Sequence, residues 1–240
     1  MRAATSAVLI GSAANAAEIS GKDIQLPATE RPVRVTYFQA PGDAKRPAAL
    51  LLHGAGGFER RIKDYTSYAS SLATAGMDAY LVYYYSPSDE AGYDFRARYP
   101  AWAKLIDDIA DHVVQLPQSN GKVGLVGFSN GGILATGAAA LDPKINAAVI
   151  YYGTPPWPLR EPVRRYPPLL ILHGDADAVI SVSAGRELAK SAQAVGAAVD
   201  MKIYPGEAHG FGSNITAANG ADALARTTTF LQRYLTAVSP

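Results

Sequence analysis

The chain has 240 residues, and a compact fold of that length buries roughly 70–75% of the surface its unfolded form exposes. Hydrophobic residues make up 48% and charged ones 18%, which excludes a disordered chain; the net charge of +1, with no basic block, argues against nucleic acid as a partner. There are no cysteines, so disulfides, thiolate metal sites and a cysteine nucleophile are excluded, and histidine chemistry falls to His53, His112, His173 or His209.

The chain opens with Arg2, an apolar alanine-rich stretch over 3–14, and Ala14-Asn15-Ala16, a small-x-small site of the kind signal peptidase accepts. Charge resumes at Glu18. Residues 1–17 therefore read as a secretory signal peptide, with a plain alanine-rich start as the alternative, and 18–240 as one domain; the expected location is periplasmic or secreted, otherwise cytoplasmic. No other stretch reaches the eighteen or so apolar residues of a membrane span.

Short apolar runs then alternate with helical patterns. Strands are expected at 33–38, 48–52, 79–84, 122–128, 147–152, 169–173 and 199–204. Helices are expected at 63–75, 101–116, 131–141, 183–195 and 221–235. Several strands are continuous apolar runs, as in strands covered on both faces, and the alternation argues an α/β fold with a mostly parallel central sheet and helices on both faces. Two long connections stand out. The stretch 86–100 carries Tyr93, Phe95 and Tyr99; 153–168 carries Trp157 and six of the sixteen prolines. Long loops with their own aromatic content are more often functional than idle.

Gly127-Phe128-Ser129-Asn130-Gly131 is a G-x-S-x-G pentad between an expected strand and an expected helix. That context suits a serine nucleophile on a sharp strand-to-helix turn, with the helix N-terminus favouring negative charge nearby. A serine hydroxyl needs a base. His112 lies within an amphipathic helix, and His53 and His173 each end a strand in a His-Gly pair that shapes a turn. His209 lies in a loop after the last strand, where a base can reach across the sheet, and it occupies the final place in the order Ser, acid, His. His173-Gly174-Asp175-Ala176-Asp177 offers two orienting carboxylates. Loop reach favours Asp177, with Asp175 bracing the turn. These aspartates with His173 lack a fourth credible metal ligand, and no H-E-x-x-H run exists, so no metal is expected.

The turn His53-Gly54-Ala55-Gly56-Gly57 follows the first long apolar strand. It is expected to supply one backbone donor of an oxyanion hole, at Ala55 or alternatively Gly54, with Asn130 supplying the other. Tyr83, Tyr84, Tyr85, Tyr93, Tyr151 and Trp157 fall near strand ends or in the long loops. Tyr85 and Trp157 are the foremost candidates to line a substrate pocket; plain core is the alternative.

With these motifs in place, the chain from about residue 32 to 235 resembles the dienelactone hydrolase family of α/β-hydrolases. The segment Ser119-Asn120-Gly121-Lys122-Val123-Gly124-Leu125-Val126-Gly127-Phe128-Ser129-Asn130-Gly131-Gly132 is similar to that family's nucleophile strand and elbow. His173 to Asp177 resembles its acid loop, with the acid at Asp177, and Tyr204-Pro205-Gly206-Glu207-Ala208-His209-Gly210-Phe211 its histidine loop. The resemblance implies a nucleophile–His–Asp triad without metal or organic cofactor, acting on a small-molecule ester or lactone. Two departures point away from dienelactone itself and towards a serine esterase. The founding members use cysteine where this chain has Ser129, and a glutamate where it has His53. A peptidase or acyltransferase using the same residues, or a non-catalytic binding protein that kept the fold, are the alternatives; the last is expected to lose a triad member, and none is lost.

If residues 1–16 are a cleaved leader, the intact mass of the protein exported by its native host corresponds to a chain starting near Ala17. A full-length product retained in the cytoplasm contradicts export.

Overall fold

The computed structural model describes residues 19–85, 94–155 and 163–236. The leader, Tyr93 and Trp157 lie outside them. Eight strands form one sheet: β1 (Lys22–Leu26), β2 (Val33–Phe38), β3 (Arg46–Leu52), β4 (Asp78–Val82), β5 (Ser119–Phe128), β6 (Ile145–Tyr151), β7 (Leu169–Gly174) and β8 (Val199–Tyr204). Their spatial order is β1-β2-β4-β3-β5-β6-β7-β8. The β1–β2 and β2–β4 pairs are antiparallel, and every pair from β4 onward is parallel.

Five α-helices are described: α1 (Ile62–Thr74), α2 (Phe95–Val114), α3 (Asn130–Leu141), α4 (Val182–Ala194) and α5 (Ala218–Leu235). The period-2 alternation of strand side chains sorts the core into two halves. Leu50, Leu52, Leu125, Ile150 and Ile171 pack on one face against α2, α3 and α4. Leu51, Val126, Phe128, Val149 and Leu172 pack on the other against α1 and α5. All seven residues of β3 are buried, as its continuous apolar run requires. In α3 nearly every residue is buried; a helix apolar all round belongs inside, and its glycines and alanines let it lie close to the sheet.

The expected strands and helices are present, with shifted ends. Two differences are larger. The strand β1 was not expected, because Lys22, Asp23 and Gln25 leave no apolar run and only Leu26 is buried. It is held instead by its ladder to β2 and by the Asp23 carboxylate, which accepts from Arg34 and Thr36. The second difference is at the start of α2. Phe95 and Tyr99 lie in this helix and not in a loop, and the helix begins six residues before the expected 101. Pro100 suggests a boundary, but it sits on the exposed side, where water can replace the lost helix bond. The Asp94 side chain caps the true start by accepting from the Arg96 and Ala97 amides.

Parallel pairing brings the carboxyl ends of β3 to β8 to one edge of the sheet, where Ser129, Asp177 and His209 lie. The opposite end of β3 and β4 is pinned by a buried ion pair. Asp78 accepts from Arg46 Nε at 2.6 Å, the Ala40 amide at 2.9 Å and the Tyr37 hydroxyl at 2.9 Å. Asp78→Ala strands the buried guanidinium and should destabilise the fold by about 3–5 kcal/mol in urea unfolding. The apolar double variant Arg46→Met/Asp78→Leu should recover part of that loss. A single-variant loss below about 1 kcal/mol contradicts this role.

Candidate active site

Ser129 stands between β5 and α3 with φ +55° and ψ −117°, a left-handed backbone rarely adopted by a residue with a side chain. Its amide donates to the Tyr151 carbonyl at 3.0 Å, and its own carbonyl accepts the first helical bond, from the Ile133 amide. The two glycines of the pentad are needed for close approach. A Cβ at Gly127 would lie 2.2 Å from the Gly131 carbonyl oxygen, and one at Gly131 would lie 2.2 Å from that of Leu52. The turn is thus packed against its own helix and against the end of β3.

Two further loops converge on this serine. His209, after β8, has Nε2 2.9 Å from Ser129 Oγ and Nδ1 2.7 Å from Asp177 Oδ2, after β7. Strand adjacency makes this possible, because β7 and β8 pair directly and their loops touch. The Asp175 and Ala176 amides donate to the Tyr204 and Glu207 carbonyls, and a Cβ on Gly174 would collide with the latter at 2.1 Å. Of the two candidate acids, Asp177 is the one beside the imidazole. Asp175 accepts instead from the Gly206 amide at 2.7 Å, tying the two loops together.

The Asp177 side chain is fully buried, and Oδ1 accepts from the Val179 and Ile180 amides, each at 2.9 Å. Burial pushes its carboxyl upward, but the Ile180 amide, the His209 ring and the Val179 amide outweigh it, and the pKa lies below the ordinary value. The other strand-end histidines are buried and neutral. Burial lowers His53 to about 4 against a bond from Nδ1–H to the Gly54 carbonyl, and it lowers His173 as well. His53 stacks on Tyr84 at 4.0 Å, and the Tyr84 hydroxyl donates to the His53 carbonyl at 2.6 Å, so this histidine fixes its turn.

A cleft of about 550 Å³ opens over Ser129 and His209. Ala55 lines it, Asn130 is the first residue of α3, and a Cβ on Gly54 would lie 3.4 Å from Ser129 Cβ. Tyr85 packs on His53, Tyr84 and Trp102, outside the described lining; Tyr84 and Tyr151 are fully buried core.

Among the lining residues that escaped sequence reasoning are Arg60, Arg61, Ser213 and, as a named candidate, Tyr152. Arg61 donates to Ser213 Oγ at 2.8 Å, joining the start of α1 to the histidine loop. Tyr152 has φ +40° and sets its ring 4.7 Å from that of His209. Strain of this kind on a non-glycine residue gathers at functional sites, and nothing in a local sequence pattern reveals it. Among the described residues no group of three or more histidine and carboxylate side chains is arranged to hold a metal ion.

The sheet order, the helices on both faces and the strained serine after β5 define an α/β-hydrolase fold. Solved structures share it: the dienelactone hydrolase of Anabaena variabilis has a TM-score of 0.72 at 21% identity, covering 91% of this chain and 99% of its own. An esterase of the archaeon Pyrobaculum calidifontis gives 0.73 at 18% identity, over 89% and 85% of the two chains. The sequence model of the dienelactone hydrolase family matches residues 35–235, and the chain belongs to that family. A curated relative from Aquifex aeolicus, provisionally named a carboxymethylenebutenolidase, is 25% identical over 190 residues, 75% of this chain and 82% of that one. The protein is a carboxylic ester hydrolase.

The buried neutral histidines make stability depend on pH. An unfolded histidine takes up a proton near 6.5, whereas His53 does so near 4. Between those values the unfolded state binds more protons, so stability is complete above about 6.5 and falls as pH drops towards 4. The loss from this residue is on the order of 3 kcal/mol. Urea unfolding at stepped pH should show that slope, and His53→Gln should flatten it, leaving the smaller share of His173. An unchanged slope in the variant contradicts the assignment.

Proposed function

We propose that the protein cleaves carboxylic esters or lactones through an acyl-enzyme formed on Ser129. The observation that supports this best is the continuous hydrogen-bond chain from Ser129 Oγ through His209 to Asp177. In this reading His209 Nε2 takes the hydroxyl proton as Oγ bonds to the ester carbonyl carbon. Asp177, held ionised by two backbone amides, keeps the ring in the Nδ1–H tautomer and stabilises the imidazolium that forms. The tetrahedral oxyanion is met by backbone amides near Ala55 (or Gly54) and Asn130, with the N-terminus of α3 favouring the same charge.

Collapse breaks the bond to the alcohol oxygen, which leaves with the proton from His209. A water, deprotonated by the same ring, then attacks the acyl carbon and frees Ser129 and the acid. With a lactone, both fragments stay in one hydroxy acid. The reading also sets the enzyme outside the cytoplasm, on the leader-like first seventeen residues.

Ser129→Ala should remain folded and lose several orders of magnitude in kcat/KM on a panel of p-nitrophenyl esters. Asp177→Asn should lose a few orders of magnitude in kcat with little loss of stability, because the amide favours the wrong tautomer. Asp175→Ala should keep most of its turnover and lose about 1 kcal/mol of stability. Wild-type rates in Ser129→Ala sink the mechanism, and the reverse pattern in the two aspartates reassigns the acid.

A further inference from the structure

His173 ends β7 with its side chain fully buried, and no step of the proposed mechanism uses it. Its Nε2–H donates to the Ile180 carbonyl at 2.8 Å. That same residue's amide, with the amide of Val179, donates to Asp177 Oδ1. The ring's Nε2 also lies 3.5 Å from Asp177 Oδ2, the oxygen bonded to His209. One imidazole therefore grips the segment that feeds one carboxylate oxygen and lies alongside the other. Its Nδ1 is buried with no partner, and faces Gly185 of α4, where a Cβ would come within 2.7 Å of it. An unpaired buried acceptor costs free energy that an apolar side chain of similar size avoids, so packing alone does not account for this ring.

We propose that His173 is a positioning residue: as a neutral Nε2–H tautomer it fixes the loop carrying Asp177 and thereby the direction in which Oδ2 meets His209. This rests on the Ser129–His209–Asp177 reading above. The Ile180 carbonyl requires the proton on Nε2, and burial keeps the ring uncharged at neutral pH. Neutrality matters, since an imidazolium beside Oδ2 would compete with His209 for the same oxygen. The titratable groups facing the ring are Asp177 on its own loop and His209 on the neighbouring loop, while α4 presents Gly185.

Three variants test it. His173→Leu removes the donor, His173→Gln restores one near the Nε2 position, and Gly185→Ala presses on the ring while favouring the helix. His173→Leu should lower kcat on the order of 10–100-fold with KM nearly unchanged. The acid limb of its kcat/KM profile should move to lower pH, because a loosely held carboxylate stabilises the His209 imidazolium less. The downfield proton resonance of the Asp177–His209 bond should broaden or shift. His173→Gln should recover most of the lost kcat and that resonance; Gly185→Ala should lower kcat several-fold without a matching fall in Tm. A folded His173→Leu with wild-type kcat, pH profile and resonance overturns the proposal. If His173→Leu does not fold, Gly185→Ala decides, and wild-type turnover there overturns it. Asp177→Asn measured alongside separates the two readings: if it stays active, the triad itself is wrong.

Discussion

The site depends on one crowded turn. Ser129 is forced into a left-handed backbone where β5 gives way to α3, and the turn exists only because the residues two before and two after it have no side chain. Gly131 lets the helix start against the end of β3, and Gly127 lets the strand pass under that start. Any Cβ at either place would push apart the two backbones that aim the hydroxyl. Once the serine is set there, neighbouring parallel strands do the rest, since their carboxyl ends all open on the same edge.

Around that turn the burial of polar groups is uneven in a way that suits proton transfer. The carboxylate is buried yet remains ionised, because two amides and an imidazole more than replace the water it lost. His53 and His173 are buried, and burial outweighs the backbone bond each makes and, for His173, the Asp177 carboxylate 3.5 Å away, so they stay neutral and serve as rigid donors. His209, in contrast, keeps part of its ring at the surface of the cleft, where substrate and water can reach it. Of these three histidines two are closed off in the core, and the one in the loop after β8 faces the cleft.

Much of this was legible in the chain. Most of the parallel core strands announced themselves as continuous apolar runs; Ser129 and Asp177 follow such runs, while His209 follows the alternating strand β8. What stayed hidden had no local signal. The strand β1 is a charged edge, stabilised by pairing that only the third dimension supplies. The early start of α2 was masked by Pro100, although Asp94 carried a capping signal. The Arg46–Asp78 pair joins residues 32 apart in sequence, and Tyr152, with its strained backbone, meets the ring of His209 from 57 residues away. Periodicity reports burial, and spacing reports turns; neither reports which distant side chains meet.

The central claim is that Ser129 is the group that bonds to the acyl carbon. The most direct measurement is reaction of the folded protein with a fluorophosphonate, followed by intact mass and peptide mapping. The account predicts one adduct per chain, on Ser129, with ester hydrolysis lost in proportion to labelling. Hydrolysis that survives full labelling of Ser129, or an inactivating adduct on another serine, contradicts it.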